Sequence, residues 1–183
     1  MSWRGFYALE VAEPLAKELK LHLKRFAKIP GVNWVNERNL HLTLLFMAEA
    51  PFEKMQEMKQ LCLDLSEEFE PVTLKCQGIE LFPARDPRLV WVKLEDESGG
   101  IQQLHKTLQK RCKHMDLDFD KKPLKMHITL GRIKKQIPVH LEREIMQTEL
   151  DGEALIYDTI TLYRSQLSPQ GPKYTILEQS KLQ

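Results

Sequence analysis

His41-Leu42-Thr43-Leu44 and His127-Ile128-Thr129-Leu130 are one pattern written twice, 86 residues apart. In each, apolar and polar side chains alternate, which is the signature of a half-buried strand. Residues two apart on a strand share a face. Each histidine therefore points the same way as its threonine, while Leu42 with Leu44, and Ile128 with Leu130, point into a core. The flanking sequence repeats as well. Before the first copy lie an apolar run, Phe6 to Val11, and a helix opening near Pro14 with Leu15, Leu19, Leu23 and Phe26 on one face. After it come a helix carrying Met55, Met58, Cys62, Leu65 and Phe69, and a strand from Val72 to Phe82. The second copy follows a strand at Leu89 to Leu94, a Gly99-Gly100 break and a helix striped by Ile101, Leu104, Leu108, Cys112 and Met115. A shorter charged helix at Leu141 to Leu150 and strands at Ala154 to Gln166 and Lys173 to Glu178 complete the chain. The period is too long for a solenoid. The expectation is one bilobal α+β domain over residues 1–183, an internal duplication with two similar lobes facing each other, one per motif.

Two imidazoles and two hydroxyls facing one cleft are the parts needed to hold a phosphodiester and move two protons. Histidine titrates near neutral pH, so one ring can act as base and the other as acid. Neither motif contains an Asp, Glu, Cys or third His that would complete a zinc sphere, so no metal is expected. With no G-x-x-x-x-G-K and no G-x-G-x-x-G, no nucleotide cofactor is expected either. Phe46 and Arg132 each lie five residues beyond a motif histidine. Strict alternation turns both away from the histidine face, and a bulge or strand end is needed to bring them back. Gly131 is of the residue type that permits one. Re-aimed, Arg132 clamps phosphate and Phe46 offers a stacking surface to a base. Lysines 121, 122, 125, 134 and 135 flank the second motif and are candidates to attract an RNA end. His22, His105, His114 and His140 have no matching partners and are read as ordinary helix or loop residues.

Composition narrows the setting. The 183 residues are 42% hydrophobic and 29% charged, enough to bury a core without disulfide staples. Lys plus Arg (27) nearly cancels Asp plus Glu (26), so no global field draws nucleic acid in, and recognition has to be local. Cys62, Cys76 and Cys112 are odd in number and widely spaced, which suits free thiols in a reducing cytoplasm. Charges interrupt every apolar run, so neither a signal peptide nor a spanning helix is expected.

The doubled motif, the Phe-Tyr-Ala-Leu opening strand, Asn39-Leu40, Gly131-Arg132 and the late Leu167-Ser168-Pro169-Gln170-Gly171-Pro172 before Tyr174-Thr175 together resemble the two-histidine phosphoesterases. Within that superfamily the likeness is to the bacterial and archaeal RNA 2′,3′-cyclic phosphodiesterases, often labelled 2′-5′ RNA ligases. The resemblance covers essentially the whole chain. It implies a bilobal fold with pseudo-twofold symmetry, in which two mostly antiparallel sheets flank a central cleft with helices outside, and opening of a terminal 2′,3′-cyclic phosphate to a 2′-phosphomonoester without metal or nucleotide cofactor. The expected enzyme is a cytoplasmic monomer acting on RNA ends or small cyclic nucleotides. It matches His41 to the proton donor for the leaving 3′ oxygen and His127 to the proton acceptor. It matches Thr43 and Thr129 to the phosphate-binding threonines and Arg132 to an arginine that follows the second motif. The alternatives are a 2′-5′ RNA ligase joining tRNA halves and a nucleotide-binding module that does not turn its ligand over.

Overall fold

The computed structural model describes residues 1–183. Nine strands and four α-helices follow in the order β1 (Ser2–Glu10), α1 (Glu13–Phe26), β2 (Val32–Trp34), β3 (His41–Pro51), α2 (Met55–Glu68), β4 (Val72–Phe82) and β5 (Leu89–Glu95). They continue with α3 (Gly100–His114), β6 (His127–Ile133), α4 (Val139–Met146), β7 (Ala154–Tyr157), β8 (Thr159–Ser168) and β9 (Gly171–Lys181). No helix is long and apolar enough to cross a membrane.

The strands form one antiparallel sheet in the order β7-β4-β5-β6-β3-β1-β8-β9, with β2 added alongside β6, rather than the two sheets expected. The join between its halves is slight: β3 meets β6 through a single residue pair, Leu42 with Ile128, inside the two motifs. Reading outward from that pair, β3-β1-β8-β9 mirrors β6-β5-β4-β7. Each half takes its third strand from the other half of the sequence, since β4 sits beside β5 and β8 beside β1. The run Ala154 to Gln166, expected as one strand, is broken at Asp158. Its two pieces pair at opposite ends of the sheet order, β7 on β4 and β8 on β1. A one-residue connection between such distant positions is possible only because the sheet is curled into a half-barrel.

Helix formation follows the apolar stripes. Leu15, Leu19, Leu23 and Phe26 of α1, Met58, Leu61, Cys62 and Leu65 of α2, and Ile101, Leu104, Leu108 and Cys112 of α3 are buried. The fourth helix starts two residues earlier and ends four earlier than the sequence pattern suggests; the Gln147 amide closes on Arg143 and the chain turns away at Thr148. The buried apolar helix residues share one 38-residue cluster with Leu42, Leu44, Ile128 and Leu130, so a helix layer covers one face of both sheet halves. A second, small cluster of Phe6, Ala8 and Tyr163, with Phe46 and Tyr174 against it, lies on the opposite face and contains no helix residue. That uncovered face carries the histidines.

Candidate active site

Each motif sits at the start of its strand and is followed by a bulge. In β3, Thr43 pairs with Ala8 and Leu45 with Tyr7, leaving Leu44 as an extra residue. In β6, Thr129 pairs with Trp91 and Gly131 with Val90, leaving Leu130 as the extra one. Consecutive residues Leu44-Leu45 and Leu130-Gly131 are therefore buried, and alternation resumes out of phase. The phase shift brings Phe46 round to the face of His41 and Thr43, where it packs on the Phe6 cluster. It does the same for Arg132, whose positive charge bears on His41, His127 and Tyr174. Glycine at 131 has a different reason from the one expected. A Cβ there would come within 2.6 Å of Val32 and 2.9 Å of Trp34, because β2 pairs closely with β6 at this point. In β3 the same bulge is made without any glycine.

Both imidazoles are held alike. His41 Nδ1–H donates to the Asn39 carbonyl at 2.7 Å, and His127 Nδ1–H donates to the Lys125 carbonyl at 2.6 Å. A carbonyl only accepts, so Nδ1 carries a proton in each ring and Nε2 is left for chemistry. His41 Nε2 lies 2.9 Å from the Thr43 hydroxyl. Each ring also leans on an aromatic residue from the neighbouring strand: Phe6 stacks on His41 at 4.6 Å, and Trp91 packs on His127 at 4.5 Å. Sequence reasoning passed over these two rings, although both occupy the opening strand of their half.

Beyond those rings the surroundings diverge. Tyr174 of β9 meets His41 edge-on at 5.4 Å, and Tyr163 of β8 lies behind Phe6 at 5.1 Å. Glu10 accepts hydrogen bonds from the hydroxyls of Tyr163 (2.5 Å) and Thr161 (2.8 Å). Trp91 instead stacks on Phe82 at 3.9 Å, its indole N–H directed at Glu80, and Lys125 Nζ sits 4.2 Å from the Phe82 ring centre. Arg4 lies over Phe46 at 4.7 Å. Among the five lysines, Lys125 reaches this aromatic wall. Lys134 and Lys135 are tied through backbone amides to Gly31, and Lys122 pairs with Asp120.

Burial is the main reason that both histidines resist protonation. It pushes the His41 pKa down to about 4, helped by the nearby His127 and Arg132 and opposed by the Asn39 hydrogen bond. His127 is lowered too, by burial first and then by Lys125 and Arg132. Both shifts favour the neutral imidazole in the free protein. A phosphate anion placed between them would reverse the balance, since negative charge favours imidazolium. No group of three or more His, Cys, Asp or Glu residues is placed to hold a metal ion.

The model of the 2′-5′ RNA ligase superfamily matches residues 10–168. The RNA 2′,3′-cyclic phosphodiesterase of Archaeoglobus fulgidus is 31% identical over 174 residues, covering 93% of this chain and 96% of that protein. The Thermotoga maritima protein of the same description is 28% identical, covering 95% and 92%. Among solved structures, TT0787 of Thermus thermophilus superposes with a TM-score of 0.84 at 30% identity, covering 98% of this chain and 97% of that one. E. coli LigT, crystallised with 3′-AMP, has a TM-score of 0.75 at 22% identity, covering 100% and 99%, and shares the fold.

Proposed function

The chain belongs to the 2′-5′ RNA ligase superfamily, and from that we propose that it hydrolyses RNA 2′,3′-cyclic phosphate ends to 2′-phosphomonoesters, using two histidines and no metal. The observation that carries this reading is the matched pair of imidazoles, each with Nδ1–H anchored to a carbonyl two residues back, which leaves Nε2 as the proton-transferring atom, with that of His41 beside the Thr43 hydroxyl. Relatives named for this activity and matching over nearly the whole length of both chains support the substrate.

In the proposed reaction His127 Nε2 takes a proton from water, and the hydroxide attacks phosphorus in line with the 3′ oxygen. The P–O3′ bond breaks and His41 Nε2–H protonates the leaving oxygen, yielding a 2′-phosphate and a 3′-hydroxyl. Thr43, Thr129 and Arg132 bind the non-bridging oxygens, and Phe46 receives the terminal base. The substrate's own negative charge supplies what the free site lacks, by making a protonated His41 favourable once the phosphate is bound. Ring strain in the cyclic phosphate leaves the protein mainly positioning and proton transfer to perform. The two lobes hold the imidazoles in unequal surroundings that suit them to opposite duties, and we place the enzyme as a single-domain monomer in the cytoplasm, where its buried thiols stay reduced.

The test is incubation of EDTA-treated protein with an RNA oligomer ending in a 2′,3′-cyclic phosphate, reading the end group by mass spectrometry and phosphatase sensitivity. A 2′-phosphate that His127→Ala fails to make is the expected result. Joined RNA in place of hydrolysed ends would move the assignment to ligation, and binding without product would move it to a nucleotide-binding module.

A further inference from the structure

The loop that anchors His41 also reaches the far hairpin. Asn39 gives its backbone carbonyl to His41 Nδ1–H at 2.7 Å, while its side-chain amide donates to the Pro172 carbonyl at 3.2 Å. Pro172 is the second residue of β9, next to the β8–β9 turn, where Ser168 Oγ closes on the Gly171 carbonyl at 2.6 Å. Two residues further on is Tyr174, edge-on to both His41 (5.4 Å) and Phe6 (4.9 Å). One residue thus touches the imidazole and, through a separate group, the hairpin that covers it. The other half has no counterpart: Lys125 supplies a carbonyl to His127, but its side chain goes to Phe82.

We propose that Asn39 is a positioning residue for His41, tying the β8–β9 hairpin over the imidazole so that Tyr174 closes one wall of the cleft. The proposal rests on the two-histidine reading of the site. Its physical basis is water exclusion. The groups facing His41 are Thr43 from its own strand, Phe6 from β1, Tyr163 from β8, Tyr174 from β9, and His127 with Arg132 from β6. Glu10, its cross-strand neighbour, is engaged by Tyr163 and Thr161. Of these, the Tyr174 cover is the one that Asn39 controls. Loosening it admits water to the imidazole and leaves the charges on β6 in place.

The experiment follows the His41 C2–H resonance through a pH titration in the wild type, Asn39→Ala, Tyr174→Ala and the double variant, alongside steady-state kinetics. Asn39→Ala keeps the backbone carbonyl and removes only the amide. It is expected to move the His41 midpoint upward from about 4 and to lower kcat/KM about fivefold, the factor that one net hydrogen bond is worth. Asn39→Gln, which keeps a donor, should recover part of both. Tyr174→Ala should raise the midpoint by itself, and adding Asn39→Ala to it should change little more. An unmoved midpoint in Asn39→Ala, or effects that add in full in the double variant, would overturn the proposal. The titration needs no substrate, so it decides this point even if the wild type opens no cyclic phosphate.

Discussion

The His41 and His127 halves begin with the same local code and finish in different surroundings. In both, a histidine opens a strand, its Nδ1–H is held by the carbonyl two residues back, a bulge follows the threonine, and an aromatic ring from the neighbouring strand backs the imidazole. The covers differ: Tyr174 and a tied hairpin over one ring, a Trp91–Phe82 stack with a lysine over the other. Unequal surroundings are how two chemically identical groups acquire distinct roles. Here the more strongly depressed histidine is the assigned proton donor. In the proposed mechanism the bound phosphate anion raises the proton affinity of His41, which takes up a proton from solvent and passes it to the leaving oxygen.

The comparison breaks most sharply on the histidines themselves. His41→Ala and His127→Ala should each reduce turnover about 10²–10⁴-fold with unchanged circular dichroism. The double variant should be little worse than either, because a coupled acid and base fail together. Additive losses would mean that the two halves act independently. Arg132→Ala comes next. Losing a charge-assisted contact should lower kcat/KM about 10–100-fold. Since Arg132 depresses both imidazoles, its removal should also raise both titration midpoints, and a change at His127 alone would show that the arginine serves one half only.

A stability measurement separates the two bulges. Gly131→Ala drives a methyl into Val32 and Trp34 and should cost about 1–3 kcal/mol in thermal or denaturant unfolding. Leu45→Ala, at the matching place in β3, would instead leave a cavity, so a loss of similar size there would have the opposite physical cause.

The smallest expected effect is a displaced pH optimum. In the proposed mechanism, productive free enzyme needs His41 protonated and His127 neutral. Both are lowered from the ordinary histidine value of 6.5, so the pair titrates below it and kcat/KM should peak on the acid side of neutrality. As pH rises through 7 the protonated donor becomes scarcer and kcat/KM falls. The kcat profile, read in the bound state, should sit higher because the phosphate anion favours imidazolium. A kcat/KM optimum above about pH 7.5 would contradict the burial argument for the His41 half.

Apart from β2 and the break between β7 and β8, the strands, the helix stripes and the two H-x-T faces were legible because alternation and the 3.6-residue period are local properties of the chain. The residues at 41, 43, 127 and 129 needed nothing more than their spacing to be placed on shared faces. Phe46 and Arg132 were legible only up to a condition, a bulge, that the sequence does not declare: Leu44-Leu45 reads as ordinary strand, and Gly131 owes its identity to β2 rather than to backbone freedom. Sheet order was hidden for a similar reason, since Asp158 interrupts one apolar run and sends its halves to opposite ends of the sheet. The rings over each histidine come from residues such as Phe6, Trp91 and Tyr174, distant in the chain from the motif they cover. The sequence by itself determined that His41 with Thr43, and His127 with Thr129, share a strand face. Tertiary structure alone decided how dry each imidazole is, because desolvation is contributed by whatever packs against a residue, and those neighbours are chosen by the curl of the sheet.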